Sequence, residues 1–203
     1  MKSAVIMRRS VLMIVSGPSG AGKDTVIERL RQAEPDLAYC VTYTTRPPRS
    51  YEIDGVHYRF ANRDEFKKMQ AAGEFLETRE YADNLYGTPR RFVEEALAQA
   101  RDLILKPEVN GALAIKAIYP DAVLVFLTAP STEELARRLE QRRADDPKGI
   151  GQRLEIAKHE QHARAQFEYE VINDDVERAV CELQAILAAE RLKVARGVGR
   201  SST

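Results

Sequence analysis

Apolar residues follow two rhythms along this chain. Residues 11–15 and 122–127 are continuous apolar runs, the pattern of strands buried on both faces of a parallel sheet. Leu103–Leu105 and Tyr169–Ile172 predict two shorter strands, and residues 38–41 a weaker one. Helical patterns alternate with them. Residues 25–31 place Val26 and Leu30 four apart with Ile27 beside them, as an amphipathic helix does. Residues 93–100, 133–141 and 150–166 also read as helical, and Val176–Arg191 repeats Val176, Val180, Leu183 and Leu187 at spacings of three and four. Ser131 and Thr132 are N-cap candidates, and Glu134, three after Ser131, completes a capping-box pattern. Alternating strands and helices predict an α/β fold with a mainly parallel five-stranded sheet flanked by helices.

Residues 44–88 break the rhythm. They hold Pro47, Pro48, Gly55, Gly73 and Gly87, several aromatics, and one short helical pattern at 64–72. This predicts an inserted small lobe with short antiparallel strands, residues 56–60 among them. Residues 142–149 form a second polar interruption between helices and predict a lid of about 142–153. The chain therefore reads as a single domain over 1–203, with a core of 10–43 and 89–192. Its last stretch, 194–203, is expected to fray.

Composition narrows the class. At 203 residues and 44% hydrophobic content the chain can bury one good core. Lys plus Arg equals Asp plus Glu at 31 each, so net charge argues against a nucleic-acid or membrane partner. Cys40 and Cys181 have no metal-ligand spacing and predict reduced thiols. The basic start (Lys2, Arg8, Arg9) meets only a short apolar run, which does not suit a secretory signal. A cytoplasmic protein without a membrane span is expected.

Between the first strand and first helix lies Gly17-Pro18-Ser19-Gly20-Ala21-Gly22-Lys23-Asp24. This is nearly a Walker A phosphate loop, in which glycines let backbone N–H groups cradle phosphates and the lysine reaches the outer ones. Strand, glycine loop and helix is the context such a loop needs. The final hydroxyl, the usual magnesium ligand, is replaced by Asp24, with Thr25 one position late.

Thr44-Thr45-Arg46-Pro47-Pro48-Arg49, Asp54-Gly55-Val56-His57-Tyr58, Gly73-Glu74-Phe75-Leu76-Glu77 and Asn84-Leu85-Tyr86-Gly87-Thr88 follow in order. With residues 120–123, the arginine-bearing lid and residues 171–175, they make the chain resemble guanylate kinases from residue 10 to about 190. The resemblance implies a P-loop kinase that phosphorylates GMP with ATP and magnesium, as a monomer or homodimer. It implies that Gly17 through Thr25 and Asn173 bind ATP, with Asp24 toward the metal. Arg46, Arg49, Tyr58 and Tyr86 would hold the acceptor phosphate, and Thr42, Glu77, Thr88 and Glu108 the guanine. Lys23, Arg46, Arg138, Arg142 and Arg153 would serve catalysis, while Arg137 and Arg143 read as solvated neighbours.

Guanylate kinases usually carry Asp-Ile-Asp-Val-Gln-Gly after the third main strand. Here the stretch is Lys106-Pro107-Glu108-Val109-Asn110-Gly111. Glu108 keeps one carboxylate, and Lys106 reverses the charge of the other. A carboxylate in the phosphate loop and a cation on the facing strand end predict an ion pair, Asp24 with Lys106. The Gly-Lys-Asp loop is also similar to that of ribose 1,5-bisphosphate phosphokinases, and a guanylate-kinase-like binding module without catalysis is a further alternative.

Overall fold

The computed structural model describes residues 10–81, 83–141 and 162–194. Its first strand, β1 (Leu12–Ser16), is fully buried and leads into the phosphate loop and α1 (Lys23–Ala33). Then come β2 (Ala38–Tyr39), β3 (Tyr43–Thr44), β4 (Arg59–Phe60), α2 (Arg63–Ala71), β5 (Phe75–Tyr81), β6 (Asn84–Pro89) and α3 (Arg90–Ala98). The chain continues through β7 (Leu103–Leu105), α4 (Val109–Ile118), β8 (Val123–Thr128) and α5 (Thr132–Gln141). A 3-10 turn at Ala163–Gln166, β9 (Tyr169–Ile172) and α6 (Val176–Arg191) complete the described elements.

Five strands form a parallel sheet in the order β2-β7-β1-β8-β9. The central strand decides where the site lies, because its C-terminal end delivers the loop to the middle of the sheet edge. Strand alternation splits its side chains between two cores. Met13 and Val15 pack with Val26, Leu30, Leu183 and Leu187 under α1 and α6. Leu12 and Ile14 pack with Val93, Leu105, Ala112 and Ile115 under α3 and α4. Both faces are covered, so the strands read as unbroken apolar runs.

A second sheet has the order β4-β3-β6-β5. Its β5–β6 hairpin is antiparallel and bulged between Phe75 and Glu77. Residues 56–60 had promised an antiparallel strand. Only Arg59–Phe60 is one, and it runs parallel to β3, because Asp54 to Tyr58 coils into turns that Gly55 opens with φ 75°. Strands predicted at 11–15 and 122–127 each start one residue later, and that at 38–41 shortens to two. The helix predicted at 93–100 begins earlier, at Arg90, directly after Pro89. Of the helix expected over 150–166, only the end is described, and Ala163–Gln166 is 3-10 rather than α. Helix α4 has no counterpart in the expected elements. The lid at about 142–153, with Arg142 and Arg153, lies outside the described residues.

Candidate active site

The phosphate loop is shaped by contacts a side chain would destroy. A Cβ at Gly17 (φ 138°) would sit 2.1 Å from the Leu127 carbonyl oxygen, and one at Gly22 (φ 89°) 2.3 Å from Asn173 Nδ2. Gly22 is also the N-cap of α1, and no side chain caps that helix end. The first N–H groups of α1 and the helix dipole thus face the loop, an arrangement suited to phosphate. Lys23 Nζ donates across the loop to the Gly17 and Pro18 carbonyls. Thr25 is exposed on the first turn.

Asn173 lies just beyond β9 and is buried. Its Nδ2 donates to the Ala21 carbonyl at 2.8 Å, fastening the loop from the far side of β8. Arg138 on α5 joins the same junction, donating to Asn173 O at 3.0 Å and to Glu134 Oε1 at 2.7 Å. Glu134 N in turn donates to Ser131 Oγ, the cap expected for α5.

Across the cleft, the second sheet and the segment between β7 and α4 bring further residues together. Thr42, Tyr58, Glu77, Tyr86, Lys106 and Glu108 line one small pocket together with Arg79 and Pro107. Glu77 and Thr88 are register partners of the hairpin, and Thr88 Oγ1 donates to Glu77 Oε1 at 2.8 Å. The bulge before Glu77 fits a strand that must re-aim one side chain. Its other oxygen, Oε2, is buried and has no hydrogen-bond partner among the described residues. Burial pushes the Glu77 carboxyl above its ordinary pKa, against the pull of the Thr88 donor. A buried acceptor without a donor is costly, so this atom is suited to a ligand that brings one.

Arg46 and Arg49 both reach one carboxylate, that of Glu52. Arg46 makes a two-pronged pair with its carboxylate at 2.8 and 2.9 Å, and the Arg49 backbone N–H donates to it at 2.8 Å. Burial of Glu52 would raise its pKa, but the Arg46 and Arg49 donors hold it below the usual value. Arg46 also lies 5.4 Å from the Tyr58 ring centre, and the Tyr58 and Tyr86 rings are 6.1 Å apart. Sequence reading missed Glu52. The available signal was a carboxylate three residues after Arg49 in a proline-stiffened turn.

Asp24 and Lys106 meet as an ion pair, as the charge exchange predicted. The Lys106 ammonium also lies 3.3 Å from Tyr58 Oη and 4.5 Å from its ring centre. Burial alone would lower the Lys106 pKa, but the oxygens of Tyr58, Tyr39 and Asp24 raise it well above the ordinary value. The ammonium therefore stays charged, tying the phosphate loop to the second sheet. Cys40 is buried, its thiol pushed up to about 12 by burial, which makes it an inert core residue.

Among the described residues no cluster of three His, Cys, Asp or Glu could hold a metal, and no helix is long and apolar enough to cross a membrane. The donor set fits a magnesium ion shared with phosphates, since that ion usually takes one or two carboxylates and keeps its other positions for phosphate and water. Asp24, partly exposed on the first turn of α1, has the donor chemistry such an ion takes.

Known proteins are similar to this chain in sequence and fold. A family model described as guanylate kinase matches residues 9–190. A guanylate kinase of Rubrobacter xylanophilus is 48% identical over 181 residues, covering 89% of this chain and 95% of that one. One of Carboxydothermus hydrogenoformans is 44% identical over 190 residues, covering 94% and 93%. The crystal structure of guanylate kinase from Anaplasma phagocytophilum superposes with a TM-score of 0.79 at 28% identity, over 95% of this chain and 92% of that one. A sequence match running from the phosphate loop to α6, with a solved relative that superposes over nearly the whole chain, leaves one conclusion: the chain belongs to the guanylate kinase family.

Proposed function

We propose that the protein transfers the γ-phosphoryl group of ATP to GMP, yielding ADP and GDP, with the acceptor bound at the second sheet and ATP at the phosphate loop. The orphaned Oε2 of Glu77 carries the acceptor reading. Guanine offers N1–H and N2–H donors on one edge, and a carboxylate accepts from both with its two oxygens, more strongly than a neutral acceptor does. Thr42, Thr88 and Glu108 complete the base side. Arg46 and Arg49 take the acceptor phosphate, with Tyr58 and Tyr86 beside them. Glu52 keeps the two arginines together, so their alignment is established before the nucleotide arrives.

On the donor side, the loop from Gly17 to Thr25 cradles the ATP phosphates. Lys23 exchanges its two carbonyl partners for phosphate oxygens. Asn173 holds the loop and borders the adenine. Magnesium, bound with ATP, supplies charge neutralisation of the phosphates, and Asp24 is its protein donor. An oxygen of the acceptor phosphate attacks the γ-phosphorus and the ADP oxygen leaves. No protein nucleophile is needed, because positioning and cations carry the catalysis. Arg138 would stabilise the transferring group, together with Arg142 and Arg153 of the expected lid. We place the protein in the cytoplasm, where both nucleotides are substrates of ordinary metabolism.

The test is ADP release with GMP, dGMP, AMP or ribose 1,5-bisphosphate as acceptor. GMP gives the highest kcat/KM. A clear preference for the sugar phosphate overturns the guanine reading, and no turnover with any acceptor favours a binding module.

A further inference from the structure

Lys106 stands between the two halves of the site, and the transfer described above gives it no task. Its side chain is only 3% exposed, whereas that of its partner Asp24 is 42% exposed. The carboxylate thus has a fixed ammonium behind it and part of its surface in water, at the start of α1 beside the phosphate loop. A second cation can approach Asp24 from solvent without the lysine having to leave its burial site. Lys106 meanwhile keeps a contact to Tyr58 Oη at 3.3 Å, on the wall of the acceptor pocket.

We infer that Lys106 is an internal counter-ion of Asp24 that competes with the nucleotide's magnesium for that carboxylate. The inference rests on the ATP-binding reading above. Without metal, the ammonium offsets a negative charge that would otherwise repel the phosphates. With metal, the divalent ion takes over that offset, and the ammonium is left with Tyr58, toward the acceptor phosphate. Linkage makes the effect mutual: as the metal weakens the Lys106–Asp24 pair, the pair weakens metal binding. Neutralising Lys106 therefore has opposite consequences in the two conditions. Metal-free nucleotide binds more weakly, because Asp24 has lost the buried ammonium that offsets its charge. Magnesium binds more tightly, because one competitor for the Asp24 carboxylate is gone. A lysine that served only to hold the fold would lower both affinities together.

The experiment is calorimetric titration of ADP in EDTA and in saturating magnesium, with GMP turnover measured alongside. Lys106→Met raises the ratio of the EDTA to the magnesium dissociation constant by roughly fivefold or more, while kcat with GMP falls. Lys106→Gln keeps a donor toward Asp24 and Tyr58 but no charge, and it behaves like Lys106→Met. In an Asp24→Asn background the change of ratio on adding Lys106→Met disappears, because the contested carboxylate is gone. An unchanged ratio in Lys106→Gln, or an equal rise in the Asp24→Asn background, overturns the competition. Wild-type protein that binds no ADP in either buffer overturns the ATP-binding reading itself, and this inference with it.

Discussion

Glu77 shows at the scale of one residue how the fold keeps a group where it is uncomfortable alone. One oxygen is satisfied by Thr88, the other is buried without a donor, and the carboxyl's pKa is raised above 4.5. The folded chain therefore holds this proton more tightly than the unfolded chain. Stability from the group is fully present below the unfolded value and is lost as pH rises through the raised folded value. Glu77→Gln removes that loss, so its urea midpoint gains on the wild type as pH rises through this window. The same variant weakens GMP binding by about 2 kcal/mol, the scale of a lost hydrogen bond to a charged group. Parallel pH curves for the two proteins would show that Glu77 ionises normally and remove the argument. The identity of Glu77 was legible from its place after Gly73-Glu74-Phe75-Leu76, but its isolation was not. Glu52 was less legible still, since a carboxylate among exposed arginines reads as surface charge until the turn closes on it.

Helix α4 is the element the sequence concealed. Helices are recognised by an apolar stripe against a polar face, and residues 109–118 are apolar nearly all round. The reason is its position. Val109, Ala112 and Ile115 are buried, and the helix packs on β1 and β8 as well as on β5 of the second sheet. Its Gly111 leaves room for the Glu77 carboxylate: a Cβ there would lie 3.0 Å from Glu77 Oε2 and 3.1 Å from Pro107 Cβ. Gly111→Ala forces Glu77 to shift, and overpacking of this kind costs about 1 kcal/mol or more. GMP affinity is expected to fall while ADP affinity holds, which paired titrations measure. Unchanged GMP affinity would mean that Glu77 yields without consequence. The phosphate loop was legible for the opposite reason. Its positive φ values demand glycine at fixed places, and that demand is written locally in the chain.

For the whole molecule, the question is how two sheets and a C-terminal strand hold one loop. Asn173 answers for the donor side, reaching from the end of β9 to the Ala21 carbonyl. Among the described residues, Asn173→Ala leaves that carbonyl only the 3.5 Å approach of Arg138. Loss of a buried hydrogen bond of this type costs about 1–3 kcal/mol. The variant should melt at lower temperature and bind ADP more weakly, with GMP binding little changed. An unchanged melting temperature and ADP affinity would show that Arg138 alone holds the loop. By itself the sequence determined the strand–loop–helix unit, the parallel core and the phosphate chemistry, because periodicity and glycine placement act over a few neighbouring residues. It also brought Asp24 and Lys106 into view as opposite charges. Only the tertiary structure decided that the lysine is buried and the aspartate open to water, that Glu52 gathers the arginines, and that Glu77 keeps one oxygen unpaired. Those properties depend on desolvation and on partners as far as 82 residues apart in the chain, and neither exists until the two sheets have packed around α4.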